Sequence, residues 1–146
     1  MAARQFKRPS ESRSRNMRAI TSANNRTTER RIRAHLAQLG ISDWHVRSRE
    51  LPGWPDFLFP VAKIALFADG CFWHGCPRCG HTPKSNIGYW KRKLARNKAR
   101  DRTVNRELRS RGFKVIRIWE CEIKRNPRKC LLSLFRSLRR AACGVR

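Results

Sequence analysis

KIALFADGCFWHGCPRCGH, residues 63–81, changes character in its middle. Its opening, KIALFA, is apolar enough for a central strand, while the thirteen positions from Asp69 to His81 hold three cysteines, two histidines and a Phe-Trp pair. A purely structural knuckle needs only ligands and turn residues. Phe72, Trp73 and His74, between the first cysteine and the next, therefore call for packing or for a task on a partner.

The flanking sequence supplies the rest of a domain. Thr28 caps ERRIRAHLAQLG, where Ile32, Leu36 and Leu39 recur at helical spacing and Gly40 stops the run. HVRSREL (45–51) and PGWPDFLFP (52–60) read as short strands broken by Pro and Gly. Beyond the cysteine loop, Trp90, Leu94, Val104 and Leu108 share one face of a long helix that ends at Gly112. FKVIRIWE (113–120) is a second buried strand, and NPRKCLLSLFRSLRR (126–140) a closing helix with Asn126 as cap and Pro127 in its first turn. Helix, strands, long helix, strand and helix make an α/β or α+β sandwich around a mixed sheet. Residues 1–26, rich in Arg, Lys, Ser and Asn, are expected to form a flexible basic arm, and residues 27–146 a single domain.

Charge names the partner. Lys plus Arg number 35 against 10 Asp plus Glu, a formal net charge of +25, which is the footprint of a polyanion binder. The segment from Lys91 to Arg111 alone carries ten basic residues and two acidic ones, so the long helix is a candidate for phosphate contacts. No apolar run approaches the roughly 18 residues of a membrane span, and the N-terminus lacks a secretory-type hydrophobic segment. A cytoplasmic, nucleoid-associated protein without membrane partners is expected.

Cysteine thiolates select zinc or an iron–sulfur cluster. Cys76-Pro-Arg-Cys79 is a two-residue-spaced pair with a turn-forming proline, Cys71 lies five positions earlier, and Cys121 follows the second buried strand. If that strand pairs beside KIALFADG, both strands bring a cysteine to the same sheet edge. Cys121 is the preferred fourth Zn2+ ligand and His81 the alternative. A redox role for the CPRC pair would need neither a third nor a fourth cysteine. Cys130 and Cys143 read as bystanders.

Two acidic residues, Asp56 after Pro55 and Asp69 at the end of the apolar run, are expected at neighbouring strand ends, where paired carboxylates can hold Mg2+. Each has a plainer reading as a turn residue, as Glu29 has as a first-turn helix charge and His74 as a brace for the cysteine loop.

In order and spacing, NMRAI (16–20), Glu29, LPGWPDFLF (51–59), DGCFWHGCPRC (69–79), YWKRKLARNKARD (89–101) and VIRIWEC (115–121) resemble the very short patch repair DNA endonucleases. The resemblance implies a restriction-endonuclease-like fold of the PD-(D/E)XK type, a structural zinc, and a Mg2+ site that nicks one DNA strand beside a T:G mismatch. In it, Asp56 matches the metal-binding aspartate and Ala68 a position whose backbone carbonyl reaches the metal. His74 matches the histidine at the scissile phosphate, Glu29 an acidic residue acting through water, and Cys71, Cys76, Cys79 and Cys121 the zinc ligands. Phe72, Trp73 and Trp90 match residues that wedge into the duplex, where a poorly stacked mismatch lowers the cost of insertion. Arg18, Lys91, Lys93 and Asn97 are the further candidate DNA contacts.

The chain departs from well-known mismatch-repair members, which carry Thr and His where it has Ala68 and Asp69, and a histidine ligand where it has Cys76. A carbonyl ligand survives the change to Ala. Asp69 could ligate metal directly or act on the protonation of His74, which opens a rival role in restriction or defence, cutting without a mismatch. A non-catalytic zinc module is the third reading. The enzyme is expected to act as a monomer on double-stranded DNA, with repair or defence proteins as possible partners.

Overall fold

The computed structural model describes residues 27–143. The expected basic arm, 1–26, and Arg18 lie outside them. Four strands, β1 (His45–Val46), β2 (Phe57–Phe59), β3 (Ile64–Asp69) and β4 (Lys114–Trp119), form one sheet in the order β1-β2-β3-β4. The first three pair antiparallel, while β3 and β4 run parallel, Ile64 beside Lys114 through Asp69 beside Trp119. A parallel pair requires a crossover, which helix α2 (Ile87–Ser110) supplies. A first helix, α1, is helical over residues 27–38, and α3 (Glu120–Arg125) and α4 (Pro127–Cys143) close the chain.

Strand alternation divides the interior in two. Ile64, Leu66 and Ala68 of β3 join Ile116 and Ile118 of β4 and Phe57 and Phe59 of β2 in one core, sealed by Ile32 and Leu36 of α1 and Leu131 and Leu134 of α4. Ala65 and Phe67 point the other way, onto Val104 and Leu108 of α2. The sheet is thus covered on both faces, and β3 is buried along its whole length. Residues at odd positions of β3 and β4 face α2, which places Asp69 and Arg117 beneath that helix.

Several expectations shift. The run at 45–51 is strand only at His45–Val46, because Arg47 adopts a left-handed φ of 47° and leaves the ladder. The chain turns helical at Glu120, one residue earlier than the expected strand end, where Glu122 Oε2 accepts from the Trp119 N–H at 3.4 Å as a capping box requires. Leu39 lies beyond the last buried turn of α1 and is 55 % exposed. The cap of α4 is as expected, with Asn126 Oδ1 accepting from Lys129 N at 3.0 Å. Among the described residues no helix is long and apolar enough to cross a membrane.

Candidate active site and metal centre

The parallel pairing carries Cys71, just past β3, and Cys121, in the first turn of α3, to one edge of the sheet. There they meet Cys76 and Cys79, and the four sulfur atoms all lie within 4.8 Å of one another. Cys76 Sγ and Cys121 Sγ are 3.7 Å apart, far beyond a disulfide and close to the edge of about 3.8 Å that a tetrahedron with 2.3 Å metal–sulfur bonds demands. The knuckle is tight: Gly80 N–H donates to Cys76 O at 2.9 Å, and a Cβ on Gly80 would meet that oxygen at 2.4 Å. Burial pushes the Cys76 thiol up, but the backbone N–H groups of Cys79 and Arg78 and the neighbouring thiols bring it down to about 7. Burial dominates at Cys71 and raises it. The group can hold a metal ion. His81 is exposed and outside it, its ring 5.9 Å from that of Phe72. Cys130, whose thiol donates to Pro127 O, is likewise apart.

Beside this centre a cleft of about 350 Å³ opens between the sheet and α2, lined by Glu29, Asp56, Ala68, Asp69 and His74 among others. All five residues expected to serve catalysis or Mg2+ thus come together there, from α1, the β2 approach, β3 and the cysteine loop. Asp56 Oδ2 accepts from the Ala68 N–H at 2.7 Å. Desolvation pushes the Asp56 carboxyl up to about 6; the charges of Glu29 and Asp69 add to this, while the Ala68 N–H and Arg47 oppose it. Glu29 is 5 % exposed, and its Oε1 accepts no hydrogen bond among the described residues, with only Arg47 Nη2 at 3.6 Å. Two carboxylates, one short of donors and one desolvated, suit a hard cation.

His74 Nδ1 lies 2.6 Å from Asp101 Oδ2, on α2, and 3.9 Å from Asp69 Oδ1. Desolvation raises the Asp101 carboxyl, but the His74 hydrogen bond and the charges of His74, Arg117 and Arg100 outweigh it, so the group sits below its ordinary value and accepts. With Nδ1 engaged by Asp101, Nε2 is the His74 ring nitrogen left for another partner. Asp69 does not stand free: both its oxygens accept from Arg117 Nη1, at 2.8 and 2.9 Å. Asp101 and Arg117 were not foreseen as site residues. A signal existed in Asn97, Asp101 and Asn105, polar residues four apart on the stripe of α2 that also carries Val104 and Leu108.

The aromatics form a cluster. Phe72 packs edge-on against Trp73 at 5.0 Å and Trp90 at 5.1 Å, and all three are half-buried. Trp73 Nε1 is buried without an acceptor among the described residues. Asn97, expected at the DNA, donates its side-chain N–H to Trp73 O at 2.8 Å and braces the loop. Lys91 is exposed and Lys93 half-exposed on the first turns of α2.

A basic chain that sets carboxylates and a histidine in a cleft beside a cysteine knuckle has the equipment of a DNA endonuclease. Comparison with known proteins agrees. Residues 7–79 match the family described as DNA mismatch endonuclease Vsr. Over 134 residues, 90 % of this chain and 84 % of the other, the sequence is 31 % identical to DNA mismatch endonuclease Vsr of Escherichia coli. It is 38 % identical to the type II nicking enzyme V.XorIIP of Xanthomonas oryzae over 73 % of this chain and 78 % of that one. A shorter stretch is 53 % identical to the type II nicking enzyme V.NaeI of Lentzea aerocolonigenes, spanning 47 % of this chain and only 41 % of that relative. The chain belongs to the Vsr DNA mismatch endonuclease family.

Proposed function

We propose that this protein is a Mg2+-dependent endonuclease of restriction-endonuclease-like fold that nicks one strand of double-stranded DNA at T:G mismatches in short-patch repair, acting as a monomer with a structural Zn2+. The observation that carries the reading is the pairing of His74 with Asp101 on the same cleft as Asp56 and Glu29. The E. coli relative, named a mismatch endonuclease, supports the substrate.

Asp56, with Glu29 nearby and the carbonyl of Ala68, would hold the divalent cation, which when bound supplies Lewis acidity at a phosphate oxygen. Asp69, bonded on both oxygens to Arg117, is left out of this set. His74 presents Nε2 to the phosphate, where it holds or moves a proton, and Asp101 fixes the ring. Cys71, Cys76, Cys79 and Cys121 would hold zinc, stapling β3 to α3 so that the loop stays rigid. Exposed lysines and arginines of α2, with residues 1–26, neutralise backbone phosphates. Phe72, Trp73 and Trp90 wedge into the stack; the Trp73 indole N–H, buried without an acceptor among the described residues at a cost of about 1–3 kcal/mol, favours a cluster that reopens on DNA.

A second reading, nicking of matched DNA in a restriction setting, draws on two relatives named type II nicking enzymes, names that mention no mismatch. Strand-specific nicking of T:G and T:A duplexes, with Mg2+ or with EDTA, tests both. Metal-dependent nicking confined to T:G supports the first reading, equal nicking the second, and DNA binding without nicking rejects both.

A further inference from the structure

Arg117 projects from β4 toward α2 into the space between Asp69 and Asp101. Its guanidinium is held on every side. Nη1 donates to both oxygens of Asp69, Nη2 lies 3.3 Å from Asp101 Oδ1, Nε donates to Asn105 Oδ1 at 3.0 Å, and the Phe67 ring lies 4.5 Å below. The Arg117 and Asp69 side chains are only 17 % and 5 % exposed, so this is a largely desolvated network.

The geometry has a consequence for His74. Two carboxylates compete for its Nδ1–H, Asp101 at 2.6 Å and Asp69 at 3.9 Å. An acceptor change would swing the imidazole and carry Nε2 with it. Arg117 occupies both oxygens of Asp69 and, with its other nitrogen, holds the oxygen of Asp101 that His74 does not use. With Asp69 drawn toward Arg117 and 3.9 Å from Nδ1, Asp101 is the acceptor within hydrogen-bond reach, and it is anchored. Arg117 also screens the repulsion between two carboxylates that would otherwise push Asp101 away.

We propose that Asp69 and Arg117 act as a lock on the imidazole: Arg117 is a positioning residue that leaves Asp101 as the single acceptor for His74 and so fixes where Nε2 points in the cleft. This rests on the nuclease reading for its kinetic consequence but not for its structural one.

The test compares the full-length wild type with Arg117→Lys and with the double variant Asp69→Val/Arg117→Met. Lysine keeps the charge, and so the fold, but a single ammonium cannot hold Asp69, Asp101 and Asn105 together. The apolar pair removes both charges, so no buried ion is left unpaired if the lysine variant proves unstable. On whichever duplex the wild type nicks, both variants should melt near the wild-type temperature, with kcat at least tenfold lower and KM unchanged. ¹⁵N-histidine NMR should show a single His74 ring form in the wild type, exchange between the Asp101 and Asp69 acceptors in Arg117→Lys, and in the double variant, where no second acceptor exists, a form broadened by loss of the Arg117 hold on Asp101. Wild-type kcat in a folded variant, or an unaltered His74 spectrum, overturns the lock. If the wild type nicks no duplex, the proposed function fails and the histidine spectrum alone judges the lock.

Discussion

Asp101 Oδ2 stands 2.6 Å from His74 Nδ1, joining the cysteine loop to the middle of α2. The contact links the two halves of the site: the loop carries the cysteine cluster, and the helix is placed by its packing of Val104 and Leu108 on β3. Removing the acceptor should release the ring. Asp101→Ala is expected to lower kcat roughly 10²-fold, within the range of general acid–base effects, with DNA affinity nearly unchanged. Binding isotherms and single-turnover nicking on one preparation check this, and a variant that nicks at the wild-type rate removes Asp101 from the mechanism.

The four cysteines should behave as one unit. Elemental analysis is expected to find one zinc per chain, and Cys121→Ser to reduce zinc content and melting temperature together, since ligand loss at a structural site is loss of folding free energy. His81→Ala should retain the metal. Zinc retained by Cys121→Ser and lost from His81→Ala would reverse the choice of fourth ligand.

Acidity gives an independent handle on Asp56. Its carboxyl is pushed up from 3.8 to about 6, so the native state binds the proton more readily than the unfolded chain does. Ionisation of this group therefore opposes folding: the penalty is absent below pH about 4, grows as pH rises, and is complete above about 6, where it reaches roughly 3 kcal/mol. In EDTA the melting temperature of Asp56→Asn should exceed that of the wild type near pH 7 and match it near pH 4. Mg2+ competes with the proton, so it should stabilise the wild type more near pH 7.5 than near pH 5, and the Asn variant at neither. Equal pH profiles for the two proteins in EDTA would show that Asp56 is not desolvated.

Phe72 and Trp73 rest half-buried on Trp90, and truncating both distinguishes packing from reading. As DNA wedges their loss should reduce discrimination between T:G and matched duplexes, because the unstacking penalty then no longer depends on pairing. Partial burial sets a stability loss of about 2 kcal/mol per ring, below that of a fully buried aromatic. A folded double variant with unchanged selectivity assigns the cluster to packing alone.

Much of this was legible in the chain. KIALFAD and FKVIRIW announce two buried strands by apolar content, and the cysteine after each implies that they end together, as the parallel register of Asp69 with Trp119 bears out. Asp56, Glu29 and His74 could be brought to one place only through resemblance, since residues 27 and 18 positions apart have no local reason to meet. Arg117 was hidden because a strand shows its alternation but not what lies above it: between Ile116 and Ile118 it reads as an exposed charge, whereas α2 covers it and returns Asp101 and Asn105 to its nitrogens. The helical start at Glu120 was hidden as well, since it depends on Glu122 reaching back to the Trp119 N–H.

The most direct test is nicking by the purified full-length chain on a library of end-labelled duplexes with a central T:G mismatch and randomised flanks, alongside the same library with T:A. With Mg2+ the wild type should cut one strand beside the mismatch, at least tenfold faster than in the T:A library, and cutting should vanish with EDTA and in Asp56→Ala. Undiminished cutting by Asp56→Ala, or none by the wild type at DNA concentrations that saturate binding, would contradict the account.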